Sequence, residues 1–136
     1  MSRPVLLFVD DEKFVLDTLL VQVRSAFGER YDYEVAQSAE EAWEILHEYK
    51  ESQRRIVLLI SDWLMPLEKG DSFLIRVAER YPDIRLIMLS AYADEAAIAR
   101  AQRYANLTAF LRKPWERHHL LQTIQEALTD EKPKMD

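Results

Sequence analysis

Apolar positions along this chain follow two rhythms. Residues 5–9, 56–60 and 86–89 are unbroken apolar runs, the pattern of strands covered on both faces of a sheet. Shorter and more mixed runs at 33–36 and 109–111 suit strands nearer the sheet edges. Between the runs the spacing becomes helical: Leu16, Leu19, Leu20, Val23 and Phe27, then Ala39, Ala42, Trp43 and Leu46. Leu74, Val77, Ala78 and Tyr81 repeat it, and so do Leu120, Ile124, Ala127 and Leu128. The stretch 94–104 is helical in composition too, but its inner face is mostly alanine. That helix buries less apolar area than the others and is the one freest to shift.

The punctuation fits this reading. Ser38 and Glu41 form a capping box, in which hydroxyl and carboxylate satisfy exposed backbone N–H groups at the start of the second helix. Gly28 is placed to stop the first helix, Pro82 and Asp83 break the chain before the fourth strand, and Asn106 sits where a left-handed residue ends a helix. Strands alternating with helices in this way predict an α/β fold of the (βα)5 type, a doubly wound, five-stranded parallel sheet with helices on both faces. One domain is expected over 1–130, with the polar residues 131–136 a tail or the start of a linker.

Composition narrows the function classes. A chain of 136 residues with 49% hydrophobic and 31% charged residues has the make-up of a single globular domain. The formal charge is −6 and the longest basic run is the Arg54-Arg55 pair, which argues against direct contact with nucleic acid. The absence of cysteine removes disulfides, thiolate metal sites and cysteine nucleophiles, in keeping with a cytoplasmic protein. The apolar run at 5–9 is too short for a signal sequence, and no run approaches the ~20 apolar residues of a membrane span. No phosphate-loop or dinucleotide fingerprint occurs.

In an open α/β sheet the ligand sits beyond the carboxyl ends of the strands. Asp10, Asp11 and Glu12 follow the first strand, Asp62 follows the third, Ser90 ends the fourth and Lys113 follows the fifth. Two carboxylates about 4 Å apart repel by roughly 4 kcal/mol at an effective dielectric near 20, so acids converging on one point require a cation. With only oxygen ligands at hand, Mg²⁺ is the natural candidate, and calcium is disfavoured because no ligand-dense loop is present. A carboxylate can also act as a nucleophile toward phosphorus when positive groups neutralise the transferring phosphoryl. Any one of these residues alone reads as a cap, a turn or a surface charge; it is their joint placement on four strand ends that suggests a site.

The combination of Val9, Asp10, Asp11 and Glu12, the segment Asp62, Trp63, Leu64, Met65 and Pro66 with Gly70, the pair Ser90 and Ala91, and the pair Lys113 and Pro114 resembles the receiver domains of response regulators, from about Val5 to Leu128. The resemblance implies the flavodoxin-like strand order 2-1-3-4-5 of chemotaxis receivers. It implies Asp62 as phosphoacceptor, Mg²⁺ held by Asp10, Asp11, Asp62 and the backbone carbonyl of Leu64, and Lys113 paired with phosphoryl oxygens. Ser90 would swing toward the phosphoryl group and Phe110 would turn inward with it, switching the surface of the fourth helix, fifth strand and fifth helix. A cis peptide bond between Lys113 and Pro114 belongs to the same pattern.

The implied partners are a cognate histidine kinase or phosphotransfer protein and a downstream output domain or protein. A homodimer could form through the fourth helix, fifth strand and fifth helix, with Arg100, Arg103, Asp94 and Glu116 as candidates for its salt bridges. Leu64 and Tyr92 occupy positions that tune water access to the phosphoryl group in this family; both are bulky here, which implies slow self-dephosphorylation. Asn106 stands where the family usually has glycine, a change that the left-handed tolerance of asparagine should absorb. The run Tyr92, Ala93 and Asp94 together with Lys113, Pro114 and Trp115 is similar to receivers attached to HD-type phosphodiesterase outputs. Trp115 is expected to pack the start of the last helix, and His118 and His119, being adjacent, face different directions.

Two other readings compete. A haloacid-dehalogenase-like phosphatase would carry its nucleophile in an Asp-x-Asp pattern after the first strand, whereas Asp10, Asp11 and Glu12 stand here. A receiver-like adaptor would work by protein contacts without phosphorylation, but such proteins usually lack one of the acids, the hydroxyl or the lysine. The chain therefore reads as a phosphoacceptor signalling domain rather than an enzyme, with intrinsic Mg²⁺-dependent self-phosphorylation.

Overall fold

A computed structural model describes residues 3–65, 68–92 and 94–129. The anticipated tail at 131–136, together with Pro66 and Ala93 of the quoted segments, lies outside the described residues. The elements are β1 (Val5–Val9), α1 (Lys13–Phe27), a 3-10 turn (Gly28–Arg30), β2 (Asp32–Ala36), α2 (Ala39–Glu51) and β3 (Ile56–Ser61). They continue with α3 (Gly70–Arg80), β4 (Arg85–Ser90), α4 (Glu95–Tyr104), β5 (Ala109–Arg112) and α5 (Arg117–Thr129). The strands form one sheet in the order β2-β1-β3-β4-β5, each neighbouring pair parallel. The fold is thus the doubly wound α/β architecture that the alternation of runs and helices predicted, in the flavodoxin-like strand order that the resemblance implied.

The unbroken apolar runs are explained by two packed layers. Side chains alternate across a strand, so Leu7, Leu59, Leu86 and Met88 join Ala42 and Leu46 of α2, Phe73, Leu74 and Val77 of α3 and Ala101 of α4 on one face. Leu6, Phe8, Leu58, Ile60, Ile87 and Leu89 meet Leu16, Leu19 and Val23 of α1 and Leu120 and Ile124 of α5 on the other. All five residues of β1 are buried, whereas β2 on the sheet edge has four half-buried positions before Ala36.

Local signals behaved as their chemistry requires, with two adjustments. The Ser38 hydroxyl accepts from the Glu41 N–H at 3.0 Å. The Glu41 carboxylate, however, accepts from the Gln37 N–H at 2.8 Å, one residue ahead of the cap, so the capping box closes on the preceding residue. Gly28 adopts φ 61° and ends α1, and Asn106 adopts φ 53° after α4. Gln53 is also left-handed, at φ 61°, where α2 turns toward β3; no composition signal pointed to it. The inward face of α4 holds only Ala97 and Ala101 as buried residues, and the helix is capped by Asp94, whose Oδ1 accepts from the Ala97 N–H at 2.7 Å.

Phe73 is fully buried between α2, α3 and the sheet, edge-on to Trp43 with ring centroids 5.7 Å apart. Phe73→Ala is expected to cost about 3–5 kcal/mol in urea unfolding, whereas Phe14→Ala, at a position 79% exposed, should stay within about 0.5 kcal/mol of the parent.

Candidate functional site

Asp10, Asp62 and Lys113 are each fixed by a backbone hydrogen bond that extends the sheet one step past a strand end. The Asp10 N–H donates to the Ala36 carbonyl at 3.0 Å, the Asp62 N–H to the Val9 carbonyl at 3.0 Å, and the Lys113 N–H to the Ser90 carbonyl at 3.2 Å. Because β1 lies between β2 and β3, the acids that leave β1 and β3 are neighbours. The chain therefore brings together side chains 52 and 103 positions apart in sequence without needing a long loop.

The cluster is anchored by Lys113. Its Nζ lies 2.6 Å from Asp10 Oδ2, 3.4 Å from Asp62 Oδ2 and 3.8 Å from Glu12 Oε1. The side chains of Asp10, Asp62 and Lys113 are 2%, 6% and 13% exposed, so these charges face one another rather than water. The other oxygen of Asp10 accepts from the Glu12 N–H at 2.9 Å. The second oxygen of Asp62, Oδ1, is buried and has no hydrogen-bond partner among the described residues. A buried carboxylate oxygen without a partner costs about 1–3 kcal/mol or more; an incoming positive group would remove that cost.

One carboxylate oxygen from each of Asp10, Asp11 and Asp62 lies within 4.8 Å of the other two. Asp11 is exposed, at the mouth of the cluster. Hard oxygen donors with an orphaned buried oxygen among them suit a small divalent cation of the Mg²⁺ class. The Lys113-Pro114 bond is cis, as the resemblance implied.

The other candidate residues surround this centre. Ser90 is fully buried, and its Oγ accepts from the Tyr92 N–H at 3.2 Å, so the hydroxyl is engaged by the loop that follows β4. Leu64 is 40% and Tyr92 70% exposed. Phe110 is half-buried against the α2-α3-α4 layer, and the Arg112 guanidinium sits 5.3 Å from its ring centre. Trp115 packs against the α1-α5 layer and its indole N–H donates to Gln22 Oε1 of α1 at 2.8 Å. His118 and His119 are both exposed.

Sequence reasoning left out two participants. Glu12 appeared only as the third acid of a run, yet it lies within ion-pair reach of Lys113. Asp71, which went unremarked, is buried and bonded on both oxygens. A signal existed for it: Asp71 shares the helical face of Leu74 and Ala78, where a charged residue should not stand without partners.

A family model for the response regulator receiver domain matches residues 6–125. This chain belongs to that family. Among curated relatives it is 31% identical over 127 residues to the hydrogenase transcriptional regulatory protein HoxA of Cupriavidus necator, covering 93% of this chain and 24% of HoxA. It is also 31% identical over 122 residues to the sensor kinase CckA of Brucella abortus, covering 90% of this chain and 12% of CckA. The chain thus spans a quarter or less of these two curated relatives. Among solved structures, the signal receiver domain of an HD domain-containing protein from Pseudomonas fluorescens superposes with a TM-score of 0.83 at 28% identity, over 93% of this chain and 95% of that one. No helix among the described residues is long and apolar enough to cross a membrane.

The charge balance of this receiver is pH-dependent in a defined direction. Burial pushes the Asp10 carboxyl above its ordinary 3.8, an effect partly offset by the hydrogen bond from Lys113. Between 3.8 and its folded value the native state holds a proton that the unfolded chain has released, so stability falls as pH rises through that window. Burial alone would lower Lys113, but its hydrogen bond and charge attraction to Asp10, with Asp62 adding to both, leave it above 10.5. Its contribution is fully present below 10.5 and is lost as pH rises through the folded value. Lys113→Met should therefore lower stability by about 3 kcal/mol near pH 7, the cost of leaving buried partners uncompensated. In thermal melts of both proteins between about pH 7 and 11 the gap should hold constant up to about pH 10 and then shrink.

Proposed function

We propose that this receiver is a phosphoacceptor of two-component signalling, in which Asp62 takes a phosphoryl group from a histidine kinase or phosphotransfer protein and passes a conformational signal to a downstream output. The observation that carries this reading is Asp62 itself: a strand-end carboxylate 6% exposed, with one oxygen 3.4 Å from Lys113 and the other buried without a partner. A nucleophile held by one oxygen and unengaged at the other is poised to form a bond.

In the proposed reaction an oxygen of Asp62 bonds to phosphorus as the bond from phosphorus to the donor's imidazole nitrogen breaks, its electron pair leaving with the ring. Lys113, already between Asp10 and Asp62, would pair with a phosphoryl oxygen and offset the developing charge. Asp10, Asp11, Asp62 and the Leu64 carbonyl would hold Mg²⁺, which when bound neutralises acids and phosphoryl oxygens together. Ser90 would exchange the Tyr92 N–H for the phosphoryl group, and Phe110 would move inward with it, altering the α4-β5-α5 surface. The gain of about −1.5 to −2 charge at Asp62 is the local event that such a switch reads. Leu64 and Tyr92, both bulky and exposed, would restrict water at the phosphoryl group and so slow its loss.

The same reading extends to partners and place: a kinase or phosphotransfer donor, an output domain or protein, and a cytoplasmic setting. Of the residues considered for a homodimer contact, Arg100 is engaged with Asp71 and Asp94 caps its own helix, which leaves Arg103 and Glu116 as the more available pair.

Intact mass after incubation with acetyl phosphate is expected to show one Mg²⁺-dependent phosphoryl adduct, absent from Asp62→Asn, with a lifetime of many minutes. No adduct under any condition would replace this reading with that of an unphosphorylated adaptor, and a lifetime of seconds would remove the shielding role given to Leu64 and Tyr92.

A further inference from the structure

Outside the strand-end cluster, Asp71 is the one buried carboxylate among the described residues. It lies in the first turn of α3, where an acid is favoured by the exposed N–H groups and the helix dipole. That explanation would need no further partner, yet both of its oxygens are committed to side chains of other segments. Oδ1 accepts from the Trp63 indole N–H at 2.9 Å and Oδ2 accepts from Arg100 Nη1 at 2.6 Å. Trp63 is the residue directly after Asp62, and Arg100 belongs to α4. The Lys69 ammonium, 4.7 Å from the centre of the Trp63 ring, covers the same indole.

Two features make this more than a surface ion pair. The Asp71 side chain is 7% exposed, so withdrawing either partner leaves a carboxylate oxygen desolvated and unpaired. And α4 buries only Ala97 and Ala101 fully, with Ile98 partly buried beside them, so its apolar contact is small and Arg100 adds a directional tether to α3. A shift of the segment that carries Asp62 and Leu64 moves the Trp63 indole, changes the environment of Asp71 and so bears on Arg100.

We propose that Asp71 is a positioning residue for the acceptor segment, joining Trp63 to Arg100 so that the placement of Asp62 and Leu64 and the placement of α4 are coupled. The proposal rests on Asp62 as the reacting residue and adds a route to α4 separate from that through Ser90 and Phe110. Coupling of this kind is reciprocal. A change on α4 must therefore be felt at the acceptor segment.

The test uses the full chain and begins on α4, at a residue whose side chain is 53% exposed and whose replacement should leave the fold intact. In ¹⁵N-¹H spectra the Trp63 indole resonance is assigned by its loss in Trp63→Phe, with Trp43 and Trp115 as internal references. Arg100→Gln is expected to shift the Trp63 indole resonance, leave the other two in place, speed amide exchange over 62–65, and change the rate of the acetyl phosphate adduct roughly threefold or more. Arg100→Lys should restore part of each effect. A Trp63 resonance and 62–65 exchange unchanged in Arg100→Gln would overturn the coupling, even with adduct formation intact. Failure of the parent chain to form any adduct would instead overturn the acceptor reading, because the resonance and exchange measurements do not depend on phosphorylation.

Discussion

The ammonium of Lys113 among the carboxylates of Asp10, Asp62 and Glu12 is the interaction on which the rest of this receiver depends. Asp10 and Asp62 are almost wholly removed from water, and without a cation between them their repulsion would oppose the packing of β1 against β3. Lys113 balances part of that charge but not all of it, since it faces three acids while Asp11 adds a fourth at the mouth. The residual negative charge and the unpartnered Asp62 oxygen leave the site short of positive charge. A site in that condition favours a ligand that brings positive charge, and its all-oxygen donor set suits a small divalent cation.

The sheet order makes such a concentration of charge tolerable. The central strands bury their side chains in both layers, so β1 and β3 are held by apolar packing on each face and by parallel ladders along each edge. The cost of gathering acids at their ends is spread over a core that includes Leu6, Leu7, Phe8, Leu58, Leu59 and Ile60, each at most 1% exposed. The ends of the strands are rigid because the ladder continues through Asp10, Asp62 and Lys113. By contrast, α4 contributes only Ala97 and Ala101 to the fully buried core.

The strand-end cluster and α4 are joined through a few polar contacts. Ser90 and Phe110 lie on β4 and β5; Trp63, Asp71 and Arg100 form a chain of contacts from the segment after β3 across α3 to α4. Polar contacts suit that task because they are directional and costly to half-break when buried. Packing against alanine would transmit little by itself.

The amino-acid sequence by itself determined the alternation of buried strands and amphipathic helices, the identity of the acids, hydroxyl and lysine at strand ends, and the left-handed positions at Gly28 and Asn106. Each is a local property, written in periodicity or in what a residue type tolerates. Only the tertiary structure decided that Asp62 is left with one buried oxygen unpartnered, that Glu12 reaches Lys113, that Glu41 caps Gln37 rather than Ser38, and that Trp115 is held by Gln22. It also decided that Asp71 is bonded by Trp63 and Arg100. Those outcomes depend on the distance and direction between elements far apart in the chain. Hydrophobic pattern sets which face of an element turns inward, but not which polar atoms meet once it has.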